Sequence, residues 1–134
     1  MEKRAVNRKK ARLKDRRGVL LRSICPIANA LDLLGDKWTL VIVRDMLLLG
    51  KRTYSDFTFS SEAIPTNILA QRLKRLEQCG FVTKEPYQTK PPRFRYVPTA
   101  KTEDLRPVLV AMRRWSNAHI PGTTAPPSRH STQR

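Results

Sequence analysis

The 134-residue sequence predicts an α+β fold that is mainly α. Three observations predict it. Residues 53–78 read as a short helix, a turn and a longer helix with one polar face. Residues 81–97 read as two strands joined by a Pro-Pro turn, and apolar residues at helical spacing lie on both sides of this block. Helix, turn, helix and hairpin in that order form the pattern of a winged helix-turn-helix, whose second helix enters the DNA major groove.

Each element has its own signal. Ile27–Leu34 is an apolar stretch stopped by Gly35. Asp36 is the expected cap of a second helix, Lys37–Leu49, which is apolar almost all round and so should be central and buried. Gly50 ends it. Thr53 opens the next helix as an N-cap, with Asp56 three residues on as a capping-box partner. Tyr54 and Phe57 should point inward, and residues 60–63 form the turn. Pro65 and Thr66 start a helix that runs to about Gln78 and closes at Gly80. Leu69, Leu73 and Leu76, with part of Ile68, form its apolar stripe. At 100° per residue the opposite face carries Asn67, Gln71, Lys74, Arg75 and Gln78, flanked by Thr66 and Ala70.

Phe81–Tyr87 is a strand whose Pro86 suits an edge. Arg93–Val97 is the return strand, with Arg93, Arg95 and Val97 on one face and Phe94 and Tyr96 on the other. Thr99 is the expected cap of a last helix to about Ala118. Its stripe is Leu105, Val108, Leu109, Met112, Trp115 and His119, and Pro107 either kinks it or marks its first turn.

Charge and composition narrow the function. The net charge is +16, which favours a polyanionic partner. Residues 1–22 carry ten Lys/Arg against Glu2 and Asp15, half of that surplus, and read as a flexible basic arm. Residues 23–120 form one domain, and residues 121–134 a polar, flexible tail. No apolar run is long enough to span a membrane, and no secretory signal follows the basic start, so a cytoplasmic location is expected. Cys25 and Cys79 form no CxxC and have no histidine at ligand spacing, so no metal is expected. No paired carboxylates, nucleophile motif or glycine-rich phosphate loop is present, so an enzyme and a cofactor are not expected either.

The polar helix face carries the chemistry. Asn and Gln pair bidentately with adenine, and Lys and Arg with guanine or phosphate. On the hairpin, Lys90, Arg93 and Arg95 surround the stiff Pro91-Pro92 turn, where projecting cations suit phosphates or the minor groove. The DNA-contact candidates are therefore Thr53, Thr66, Asn67, Gln71, Lys74 and Arg75, with Lys90, Arg93 and Arg95 on the wing. For each, a solvated surface is the alternative, and charge-driven, non-specific DNA or RNA binding is the alternative function. Cys25 precedes Pro26 at a helix start near Arg22, a positive setting that makes it a candidate redox or electrophile sensor. The competing reading is a small buried hydrophobe.

These residues carry a family resemblance. Cys25-Pro26-Ile27-Ala28 followed by Leu31-Asp32-Leu33-Leu34-Gly35-Asp36-Lys37-Trp38-Thr39-Leu40 resembles the opening signature of HxlR-type transcriptional regulators. Tyr54-Ser55-Asp56-Phe57, Ile64-Pro65-Thr66-Asn67-Ile68-Leu69 and Pro91-Pro92-Arg93-Phe94-Arg95-Tyr96 extend it, so that it covers roughly residues 24–119. The resemblance implies a homodimeric DNA-binding regulator with N- and C-terminal dimerisation helices. Carried over, the dimer contacts are Ala28, Leu31, Leu105, Leu109, Met112 and Trp115, and the recognition positions are Thr66, Asn67, Gln71 and Lys74. It also implies a small-molecule or oxidant effector in some members, sensed at the cysteine matching Cys25. Two positions depart from the pattern. Glu62-Ala63 stands where the family commonly has a glycine, and Thr99-Ala100-Lys101-Thr102 lacks the glycine of the family's Thr-x-Lys-Gly turn.

Overall fold

The computed structural model describes residues 22–123. Most of the basic arm and of the C-terminal tail therefore lies outside the described residues. The chain forms two compact units, one ending at Asp36 and one starting at Lys37.

The first unit holds helix α1, Pro26–Leu34. Proline at its first position suits a helix start, where an N–H has no intrahelical partner. The Asn29 side-chain amide donates to the Ser23 and Cys25 carbonyls. Gly35 stops α1, but not through a left-handed turn: its φ is −81°. Its amide donates to the Leu31 carbonyl, and a Cβ at this position would strike that same oxygen.

The second unit starts with α2, Thr39–Leu49. It begins two residues later than the sequence suggests. Trp38 holds the N-cap position, and its own side chain makes no cap bond. Gly50, at φ 70°, supplies the left-handed C-cap. Ile42, Val43 and Met46 of α2 are fully buried, as expected of a central helix. Helix α3, Tyr54–Phe57, opens with a complete Thr53/Asp56 capping box. Phe57 is buried, but Tyr54 is not: it stays 39% exposed, and its hydroxyl donates to the Thr66 carbonyl.

Helix α4, Thr66–Gln78, follows Pro65 and buries Leu69, Leu73 and Leu76 against this core. Strands β1, Val82–Thr89, and β2, Pro92–Pro98, pair antiparallel. The ladder slips by one residue between Pro86 and Gln88, where the proline has no N–H to offer.

The last helix is not continuous. A short α5, Ala100–Glu103, precedes α6, Arg106–His119, and Pro107 lies in the first turn of α6. Thr99 does not cap with its side chain. Its hydroxyl instead donates to the Gly80 carbonyl at 2.7 Å. Thr102, at the place of the family glycine, is fully buried and donates its hydroxyl to the Phe81 carbonyl. A threonine fits there because its buried hydroxyl finds an acceptor in that carbonyl, which also accepts the Thr99 amide.

Candidate nucleic-acid interface

Helix α4 has the two-sided character a reading helix needs. Thirteen residues give it a length of about 20 Å. Its leucines are buried, while Thr66, Asn67, Ala70, Gln71, Lys74 and Gln78 are exposed on the other side. Arg75 is half-buried at the rim of this face. Asn67, Gln71 and Lys74 are three or four residues apart and so share one stripe. Lys101 closes the far end of the helix, donating to the Cys79 carbonyl at 2.7 Å while its ammonium lies over the Phe81 ring. A cation on the last carbonyls of a helix stabilises them and the helix dipole together.

Thr53 takes a different role from the other candidates. Its hydroxyl accepts the Asp56 amide in the capping box, so that oxygen is already engaged. The Asp56 carboxyl in turn accepts the Arg52 and Thr53 amides. Burial opposes its charge, but these bonds and nearby Lys51 outweigh burial and hold it below the ordinary carboxylate range.

The wing is tied to the start of α3. Thr53 bridges Arg95, and the Tyr96 amide donates to the Arg52 carbonyl at 2.7 Å. Beyond this base the hairpin is exposed. Gln88 donates to the Lys90 and Pro91 carbonyls and braces the tip. Lys90 and Arg93 are exposed at or beside the turn, and the Arg95 guanidinium lies 5.9 Å from the Tyr87 ring. Thus α4 and a cationic hairpin are built onto one capped turn. In a winged helix-turn-helix such a helix faces the major groove and such a hairpin lies beside the backbone.

The profile of the HxlR-like helix-turn-helix family matches residues 33–124. The chain belongs to the HxlR family. An uncharacterized HTH-type transcriptional regulator of Synechocystis is 35% identical over 91 residues, covering 68% of this chain and 67% of that protein. Among solved structures, PA1607, a candidate transcription factor, has TM-score 0.68 and 33% identity, with 78% of this chain and 73% of that one covered. The reduced form of the redox regulator HypR has TM-score 0.63 and 29% identity, covering 70% and 92% of the two chains. This HxlR-family protein is thus a winged helix-turn-helix, DNA-binding transcriptional regulator. No described helix is long and apolar enough to cross a membrane.

Cys25 is exposed, not a small buried hydrophobe. Arg22 is engaged by Asp32 at 2.9 Å and by the Ala28 carbonyl. Cys79, the C-cap residue of α4, is half-buried. Of the resemblance-derived dimer residues, Leu31, Met112 and Trp115 are 57%, 49% and 60% exposed, while Ala28, Leu105 and Leu109 are half-buried.

Sequence reasoning missed the support beneath the turn. Asp45 is fully buried in α2 and receives Arg44 at 2.7 Å and Lys51 at 3.0 Å. The same Arg44 reaches Glu62 in the turn, and Ser60 donates to Glu62 at 2.9 Å. These contacts hold the Glu62 carboxyl down at about 2, the Arg44 bonds being the largest cause, against a smaller opposing effect of burial. They also push the Arg44 guanidinium further up, Glu62 contributing most. The signal was present: Arg44-Asp45 is the only charged pair inside the apolar run 38–49.

Proposed function

We propose that this chain is a sequence-specific, double-stranded DNA regulator that acts in the cytoplasm as a homodimer. The observation that carries this is the sidedness of α4: Leu69, Leu73 and Leu76 are buried while Asn67, Gln71 and Lys74 are exposed together. Gln71 and Asn67 would read base edges, while Lys74, Arg75 and Thr66 would contact bases or phosphate at the groove rim. Lys90, Arg93 and Arg95 would grip backbone or minor groove. Two copies would place two recognition helices in half-sites about one helical turn apart. Exposed apolar residues on α1 and α6 support that dimer, because Leu31, Met112 and Trp115 would otherwise stay in water. The arm, residues 1–22, would add phosphate contacts, with residues 23–120 as the folded domain and 121–134 as a tail. The exposed Cys25, together with the likeness to a regulator named for redox control, supports a thiol response.

Footprinting upstream of its own gene and the neighbouring genes, with excess competitor DNA at physiological salt, tests the reading. A discrete protected palindrome is expected. The charge of +16 favours a second reading, non-specific DNA or RNA binding, which predicts smeared protection that competitor removes. Repeating the footprint with a thiol oxidant on wild type and Cys25→Ser tests the thiol response, and an unchanged wild-type footprint would remove it.

A further inference from the structure

Between α2 and α6 lies a cavity of about 320 Å³. Its walls are mainly apolar, from Leu40, Val41 and Leu48 on one side and Leu109 and Met112 on the other. Two arginines, Arg44 and Arg113, line it as well, and no acidic residue does. Arg44 spends its donors on Asp45 and Glu62. Arg113 is exposed, and among the described residues no carboxylate lies within ion-pair distance of it. A space of this size suits a small molecule, and apolar walls with a few convergent polar groups are what such sites show. The charge present selects the ligand: an apolar body fills the walls and an anionic end meets Arg113, a fork-shaped donor matched to a carboxylate.

We propose that this cavity is the effector site of the regulator and takes a small aromatic or branched carboxylate on Arg113. The assignment deepens the DNA-binding reading above and rests on it. An occupant would sit beside Arg44, whose other contact is Glu62 in the turn that leads into α4. An occupant that displaces Arg44 from Glu62 would loosen the turn and change DNA affinity, since a ligand shifts a state only through a difference in contacts.

The test uses the full chain in its native oligomeric state, because Leu109 and Met112 also belong to the expected dimer contact. It is titrated with 2-naphthoate, neutral 2-naphthamide and inorganic phosphate, and followed by the methyl signals of Leu40, Leu109 and Met112. Saturable shifts with naphthoate are expected, with the amide and phosphate at least about tenfold weaker, the worth of one charge-assisted contact. Arg113→Leu should remove the preference for the acid, and Leu109→Trp should fill the cavity and remove binding altogether. Equal binding of acid and amide, or acid binding unchanged in Arg113→Leu, would overturn the site. So would an absence of saturable shifts, or contacts from a second copy filling the cavity in ligand-free protein. Naphthoate binding that leaves operator affinity unchanged would overturn the effector role. Failure of ligand-free protein to select any DNA would instead strike the DNA-binding proposal alone.

Discussion

Arg44 and Glu62 meet in a two-pronged ion pair, Nη1 to Oε2 at 2.8 Å and Nη2 to Oε1 at 2.7 Å. The pair joins the middle of the buried helix α2 to the turn of the helix-turn-helix. Its arginine is shared with the fully buried Asp45, so turn and core are stapled through one guanidinium.

Glu62 should make stability depend on acidity. Its carboxyl is held at about 2 in the folded chain against an ordinary 4.5. The pair therefore contributes fully above about pH 4.5, and the contribution is lost as pH falls toward 2. Because Glu62 is partly exposed, its worth after screening is about 1 kcal/mol. Glu62→Gln should lower stability by that amount at pH 7 and little at pH 2.5, as measured by urea unfolding at both.

Arg44→Ala should cost more than Glu62→Gln. It leaves the buried Asp45 carboxylate with Lys51 alone among the ion pairs described here. Removing one partner of a buried ion pair costs about 3 kcal/mol. Thermal unfolding of the two variants gives the order, and equal melting temperatures would contradict the stapled arrangement.

Ala63 sits at φ 54°, the left-handed region that favours glycine. This is the turn where the family commonly has a glycine. Ala63→Gly should therefore stabilise the protein, by about 0.5–1 kcal/mol once the greater freedom of the unfolded glycine is counted. Denaturant midpoints of the variant and wild type decide it.

Gln71→Ala and Arg93→Ala should part company on DNA. Losing a base contact costs about 1–3 kcal/mol and relaxes preference at one position. Losing a phosphate contact weakens all sequences alike and lowers the salt slope by about one. Binding isotherms on specific and scrambled DNA at several salt concentrations distinguish them. Equal loss on both DNAs for Gln71→Ala would remove its assigned role.

Trp115→Glu should break the expected dimer. Trp115 is 60% exposed and stacks only obliquely on His119, at 5.2 Å between ring centroids. A charge buried at that contact should shift the mass measured by light scattering toward one chain, with helical content unchanged. An unaltered mass would place the contact elsewhere.

The sequence by itself determined what local periodicity and capping can determine. Leu69, Leu73 and Leu76 repeat at helical spacing, so the buried and exposed faces of α4 were legible in the sequence. Thr53 and Asp56 carry a complete capping rule within four residues. Arg93 and Arg95 alternate in a strand. The tertiary structure decided the rest, because those outcomes depend on partners far along the chain. Tyr54 is turned outward by its bond to the Thr66 carbonyl, and Thr99 gives its hydroxyl to Gly80 instead of capping. Thr102 is buried because the Phe81 carbonyl, 21 residues earlier, accepts its hydroxyl. Asp45 could enter the core only because Arg44 and Lys51 meet it there, and Glu62 extends that network to the turn before α4. Local rules place a residue on a face, but a buried charge is tolerated only where the fold supplies its counter-charge.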